Sequence, residues 1–165
     1  MRLLVIRTLK SLVVLSALAF TNCSSSSSNN GAGSDADKFV GVWQYTSGTA
    51  TPVCTGFSAS ISTLTGNVTV TKSTTSDLLV VEGTCNYHFT VSGTTANANA
   101  AQSCTTTGTT ASGVTYSEVD TVSSLVFTTT DGKIAHVSGT YNGVITALGA
   151  TYTCVITITG DLQKQ

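Results

Sequence analysis

From Phe39 to Ile158 the chain is cut into short runs of alternating apolar and polar side chains, separated by glycine-containing turns. A period of two sets one face of an extended strand against a core and the other toward water. A helix cannot use that pattern, because its faces recur about every 3.6 residues. The alternation is plainest at Cys85, Tyr87, Phe89 and Val91, opposite Asn86, His88 and Thr90. It recurs at Tyr152, Cys154, Ile156 and Ile158, opposite Thr151, Thr153, Thr157 and Thr159. Runs at Phe39–Tyr45, Asn67–Thr71, Leu78–Val81, Leu125–Thr129 and Ile134–Val137 also read as strands. Turn signals stand at Ser47-Gly48, Thr65-Gly66-Asn67, Glu82-Gly83, Ser92-Gly93, Ser112-Gly113, Asp131-Gly132, Asn142-Gly143 and Leu148-Gly149. Asp131-Gly132 is the strongest hairpin signal. The pattern predicts an all-β domain, a single antiparallel meander of roughly eight to ten strands. Hairpin-short links favour a small lipocalin-like barrel over a sandwich, since closure removes the exposed edges of a Thr-rich sheet.

The first residues follow another logic. Arg2, Arg7 and Lys10 precede an apolar run from Ser11 to Phe20 that ends in small residues, the layout of an export signal peptide. The run is well short of the ~20 residues that cross a bilayer as a helix. Ala19-Phe20-Thr21-Asn22-Cys23 resembles a bacterial lipobox, in which cleavage falls before a cysteine that is then lipidated; Thr21 fits the motif, and Phe20 and Asn22 depart from it. The competing reading is cleavage after Ala17-Leu18-Ala19, which leaves Cys23 a thiol in a secreted protein. Cysteine parity favours the lipoprotein. Five cysteines are an odd number for an exported chain, and lipidating Cys23 leaves four. Ser24–Ser28 and the Asn/Gly/Ser stretch to Ser34 then read as a flexible tether. The expected organisation is a helical signal peptide over 1–22, a tether over 23–36 and an antiparallel β domain over 37–165, lipid-anchored in the cell envelope. Ser24 after the cysteine is compatible with the outer membrane.

Without the signal segment, four lysines face eight acids, a net charge of −4. That disfavours nucleic acid as a partner. Cys54, Cys85, Cys104 and Cys154 allow three connectivities. Cys54 ends the first strand region and Cys154 lies near the start of the last, which are neighbours in a closed barrel; Cys85 and Cys104 flank a turn near Ser92–Thr95. We therefore favour Cys54–Cys154 and Cys85–Cys104, the latter across one hairpin. No C-x₂₋₄-C pair points to a metal, and no cofactor motif is found.

Residues Asp37–Thr49, Leu64–Thr71 and Gly83–Tyr87 resemble a group of small Thr/Gly-rich lipoproteins of myxobacterial-type Gram-negative bacteria. The resemblance would cover most of residues 37–162; it implies the lipid anchor and no activity. Gly41-Val42-Trp43 resembles the G-x-W of lipocalins, whose barrels hold small apolar ligands.

Catalytic patterns are missing from the sequence. His88 and His136 have no acid or nucleophile paired with them by spacing, and read as solvated or packed side chains. Glu118 and Asp120 would share a face if Thr115–Thr121 is a strand, suiting a carboxylate pair or a cation, but a solvated strand face is the favoured reading. The chain is therefore expected to be no enzyme but an envelope lipoprotein with a binding or structural role, its partner an envelope protein, a glycan or a small apolar ligand. One alternative is a lipocalin-like carrier with Tyr87, Phe89 and Phe127 lining a cavity; Trp43 is a further lining candidate, but reads better as a plug at one end of the barrel. Another is an inhibitor of a cell-wall hydrolase, acting through a long loop at Gln102–Gly113.

Overall fold

The computed structural model describes residues 34–56, 58–110 and 112–165. The expected signal peptide over 1–22, the lipidation at Cys23 and the tether as far as residue 33 lie outside the described residues. A 3₁₀ turn, Asp35–Lys38, leads into ten strands. They are β1 (Gly41–Cys54), β2 (Ser62–Thr63), β3 (Asn67–Lys72), β4 (Leu78–Glu82) and β5 (Cys85–Ser92), then β6 (Thr95–Ala98), β7 (Ser103–Thr109), β8 (Thr115–Thr128), β9 (Ile134–Ala147) and β10 (Ala150–Lys164). Each strand of the ring β1-β3-β4-β5-β6-β8-β9-β10 pairs with the next, and β10 pairs back onto β1. The fold is thus all-β, a closed eight-stranded antiparallel barrel with β2 and β7 added beside β1 and β8.

Four strands, β1, β8, β9 and β10, are about twice as long as the others. Their overhanging halves extend the wall beyond β3 and β6, with β2 and β7 along the two flanks. One end of the barrel is therefore tight and the other wide. Irregularities in two long strands set which side chains point inward. A register shift between Tyr45 and Ser47 in β1 moves the inward phase from Trp43 and Tyr45 to Gly48, Ala50, Pro52 and Cys54. A second, between Val122 and Ser124 in β8, puts Glu118, Asp120 and Val122 on the same inner face as Leu125 and Phe127. At the first bulge β1 and β10 touch through glycines. Gly48 faces Gly160, and a Cβ on either would meet backbone oxygen at 2.9 Å, from Thr159 or Ser47.

The tight end is filled. Phe39, Trp43, Val70, Leu78, Phe89, Ala96 and Leu162 are essentially inaccessible to water. The Trp43 ring meets Phe127 edge-on with centroids 5.2 Å apart, and its Nε1 donates to the Phe39 carbonyl at 2.7 Å. The tetrad formed by Phe39, Trp43, Phe127 and the overlying Lys164 ammonium, 5.0 Å from the Trp43 ring, plugs the barrel. Ala36, assigned to the tether by composition, already packs against this core.

Both disulfides join the favoured partners, at the wide end. Cys54 and Cys154 are directly opposed in the β1–β10 ladder, so this bond locks the strands that close the ring. Cys85–Cys104 does not span one hairpin as the sequence suggested. The strand after the Ser92 turn, β6, stops at Ala98, and Cys104 lies beyond it on β7. The bond therefore staples β5 to β7, across the seam where β6 ends. There the freed β5 edge is capped by one side chain: the Gln102 amide donates to the His88 carbonyl at 2.9 Å and accepts from the His88 N–H at 2.6 Å.

Three further sequence expectations change. Most of Gln102–Gly113, read as a loop, is strand β7. Ser47-Gly48 and Asn142-Gly143, read as turns, lie inside β1 and β9, where glycine serves close packing. Asp131-Gly132 does turn the chain between β8 and β9, with the Asp131 carboxylate accepting from the N–H groups of Lys133 and Ile134.

Candidate functional site

The wide end holds a cavity of about 420 Å³. It exists because inward positions that carry bulk lower in the barrel are here occupied by Ala50, Pro52 and Gly143. Its apolar wall comes from Ile145 of β9 and from Ile156 and Ile158 of β10, where strand alternation turns every second residue inward. The segment between β1 and β3 contributes Ala59, Ser60 and Leu64 at the mouth. Tyr87 and Tyr141, with ring centroids 6.2 Å apart, form part of its floor. Beneath them a void of only about 20 Å³ leads down to Phe89 and Phe127.

Set into this wall are three carboxylates, Glu82 of β4 and Glu118 and Asp120 of β8. Burial opposes their ionisation, because a charge leaving water loses solvation that apolar neighbours cannot replace. It pushes Glu118 up to about 7, with the nearby Asp120 charge adding to the effect, and Asp120 up to about 6. Glu82 is the most buried of the three and is also raised, against the pull of a hydrogen bond from the Tyr45 hydroxyl. Burial and then the Glu82 and Asp120 charges push Tyr87 up to about 12. Tyr45 and Tyr141 are raised too, chiefly by burial. Among the described residues, Asp120 Oδ1 is the one buried side-chain oxygen or nitrogen without a hydrogen-bond partner. It lies over Gly143, the residue opposite Asp120 in the β8–β9 ladder; a Cβ there would come within 2.9 Å of Oδ1 and 3.0 Å of Ile156 Cδ1.

Of the side chains proposed from sequence to line a cavity, only Tyr87 reaches this one. Phe89 and Phe127 bound the small void below, and Trp43 belongs to the plug. Glu118 and Asp120 do share a face, but it is the barrel interior and not the solvated face favoured above. The bulge at Ser123 explains the inversion. Counting twos back from Phe127 and Leu125 without it sets both carboxylates outside. Glu82 had a sequence signal that went unused, since it continues the inward series Leu78, Val80 with an ionisable group. The histidines lie elsewhere: His136 Nδ1 is 2.9 Å from Asp161 on the outer surface, and His88 Nδ1 is 3.1 Å from Ser76 Oγ. Among the described residues no three His, Cys, Asp or Glu side chains are grouped to hold a metal ion, and no helix is long and apolar enough to cross a membrane.

Comparison with known proteins leaves the site to speak for itself: no protein-family model, no curated protein and no solved structure matches the chain.

Proposed function

We propose that this chain is a non-enzymatic binding protein of the bacterial envelope, a lipocalin-like carrier that holds one small ligand in the wide end of its barrel and is tethered to the membrane through lipid on Cys23. The observation that carries the reading is the cavity. An eight-stranded barrel is just wide enough either to be filled by its own side chains or to hold one small ligand. This barrel is filled at one end by the Phe39–Trp43–Phe127 plug and left open at the other, with a volume of about 420 Å³. That volume falls in the ~300–1,000 Å³ range of small-molecule sites, and its wall combines apolar side chains of β1, β9 and β10 with carboxylates, tyrosines and hydroxyls that can fix a ligand's orientation. The two disulfides at the same end support the carrier reading, because they brace the wall that must keep its shape when empty.

The test is titration with a neutral fluorescent probe, N-phenyl-1-naphthylamine. One saturable site is expected, lost when Ala50→Trp fills the cavity. Absence of saturable binding, or binding indifferent to Ala50→Trp in a variant that still folds, defeats the carrier reading.

A further inference from the structure

We infer that the ligand of this cavity carries a cationic head, an organic ammonium or amidinium group on a compact apolar body. The inference rests on the carrier reading and adds the ligand's chemistry to it.

The charge pattern of the interior is one-sided. Glu82, Glu118 and Asp120 enter the cavity from two different strands, and among the described residues no lysine, arginine or histidine lines it. The described basic side chains are all placed elsewhere. Lys38 pairs with Asp35 and Lys72 with Asp37 on the surface. Lys164 donates to the Lys38 carbonyl at the plugged end, Lys133 sits in the exposed β8–β9 turn, and the two histidines are engaged as described above. Interior carboxylates are retained in folded proteins when something satisfies them, because an unpaired buried charge costs far more than an apolar replacement.

Asp120 adds to this pattern. Its Oδ1 packs over Gly143 and accepts nothing within the protein, while the side chain as a whole is half-buried in the cavity wall. Gly143 leaves the space that this carboxylate occupies, in a row that runs Asp120, Gly143, Cys154, Cys54 across four strands. A positively charged group in the cavity is the electrostatic complement that this carboxylate lacks. A metal ion fits poorly, because the acids are not grouped as a ligand set among the described residues. A larger cation spans separated carboxylates more readily, and the Tyr87 and Tyr141 rings at the floor add faces that attract it. Ile145, Ile156 and Ile158 suit the apolar remainder.

The ionisation behaviour agrees. The groups around Glu118 and Asp120 are Glu82 on β4, Tyr45 on β1, Tyr87 on β5, Tyr141 on β9 and Tyr116 on β8 itself, with Tyr152 at the rim position of the β10 inner face. None of these groups carries positive charge, so a cationic ligand is the complement that would most favour the charged carboxylates. A bound cation lowers both from their positions near 7 and 6, which makes its affinity rise with pH across that interval.

The experiment compares three molecules with one skeleton and different heads, 4-phenylbutylammonium, 4-phenylbutan-1-ol and 4-phenylbutanoate, by calorimetric titration of the full chain. At pH 8 the ammonium should bind on the order of tenfold more tightly than the alcohol, and the carboxylate more weakly than both. The ammonium's advantage should shrink at pH 5. In the Glu118→Gln, Asp120→Asn double variant, checked for native circular dichroism, the ammonium should bind no more tightly than the alcohol. Equal affinities at pH 8, or an advantage that survives in the double variant, overturn the cationic head while leaving the carrier intact. Failure of all three molecules to bind, or binding unaffected by Ala50→Trp, overturns the carrier reading itself.

Discussion

Replacing Glu118 by Gln and Asp120 by Asn removes two ionisations that the barrel interior opposes, and the consequence is readable as stability against pH. Both carboxyls are raised in the folded chain, to about 7 and about 6 from ordinary values of 4.5 and 3.8. Between the ordinary and the raised value the folded state binds more protons than the unfolded one, so stability falls as pH rises through that window and is recovered on acidification. From pH 8 to pH 5 the full effect is ~2.5 kcal/mol for Glu118 and ~1.4 kcal/mol for Asp120, at 1.36 kcal/mol for each tenfold change in proton affinity. Both side chains are only half-buried, so solvent screening reduces the pair to about 2 kcal/mol. For a domain of ~130 ordered residues that is a rise of about 7 °C in Tm. Differential scanning calorimetry at pH 8, 7, 6 and 5 should show the ligand-free wild type gaining stability toward pH 5 and the double variant gaining about 2 kcal/mol less, with Glu82, whose carboxyl is also raised by burial, keeping a residual slope of the same sign. The window stops at pH 5 because Asp37, Asp131 and Asp161 are held below the usual carboxylate range by Lys72, by backbone N–H groups and by His136, and their stabilisation is lost at lower pH. A wild type no more stable at pH 5 than at pH 8, or a double variant with the same slope, would refute the interior placement of these acids.

The remaining predictions concern the frame and the anchor. Cys54–Cys154 closes a loop with a sequence separation of 100 and Cys85–Cys104 one of 19, so chain entropy predicts losses of ~4.7 and ~3.2 kcal/mol when each pair is changed to serine. Urea unfolding should rank them in that order, and the reverse ranking would contradict ring closure through the first bond. Trp43→Ala opens the plugged end and removes the hydrogen bond to Phe39; a loss of ~3–5 kcal/mol is expected from the urea midpoint. Gly160→Ala brings a Cβ within 2.9 Å of the Ser47 carbonyl and should cost ~1–3 kcal/mol in the same assay, whereas an unchanged midpoint would argue against so close a β1–β10 approach. Intact mass of protein taken from its native membrane should show diacylglyceryl on a chain that begins at Cys23; a free Cys23 thiol would mean secretion instead.

Where inward side chains were large and apolar, the sequence was readable. Tyr87 and Phe89 against His88 and Thr90 marked β5, and hairpin-short links pointed to a closed meander. Strand β7 was missed because Cys104, Thr106 and Gly108 face in while Thr105, Thr107 and Thr109 face out. With threonine on both faces, alternation carries no contrast. The inner glycines misled in a different way. Gly48 and Gly143 look like turn residues in a one-dimensional pattern, and only the neighbouring strand reveals that they make room for Gly160 and for the Asp120 carboxylate.

By itself the sequence determined the β class, the number of strands to within two and the meander, because all of these follow from local alternation, turn chemistry and chain order; it favoured the cysteine pairs but left three connectivities open, and the structure decided between them. The cavity and its acidity were decided only by the tertiary structure. One extra residue at a bulge inverts every side chain beyond it, and which face Glu118 and Asp120 present depends on the pairing of β8 with β9 across the Ser123 bulge, a relation between distant segments that no local pattern encodes.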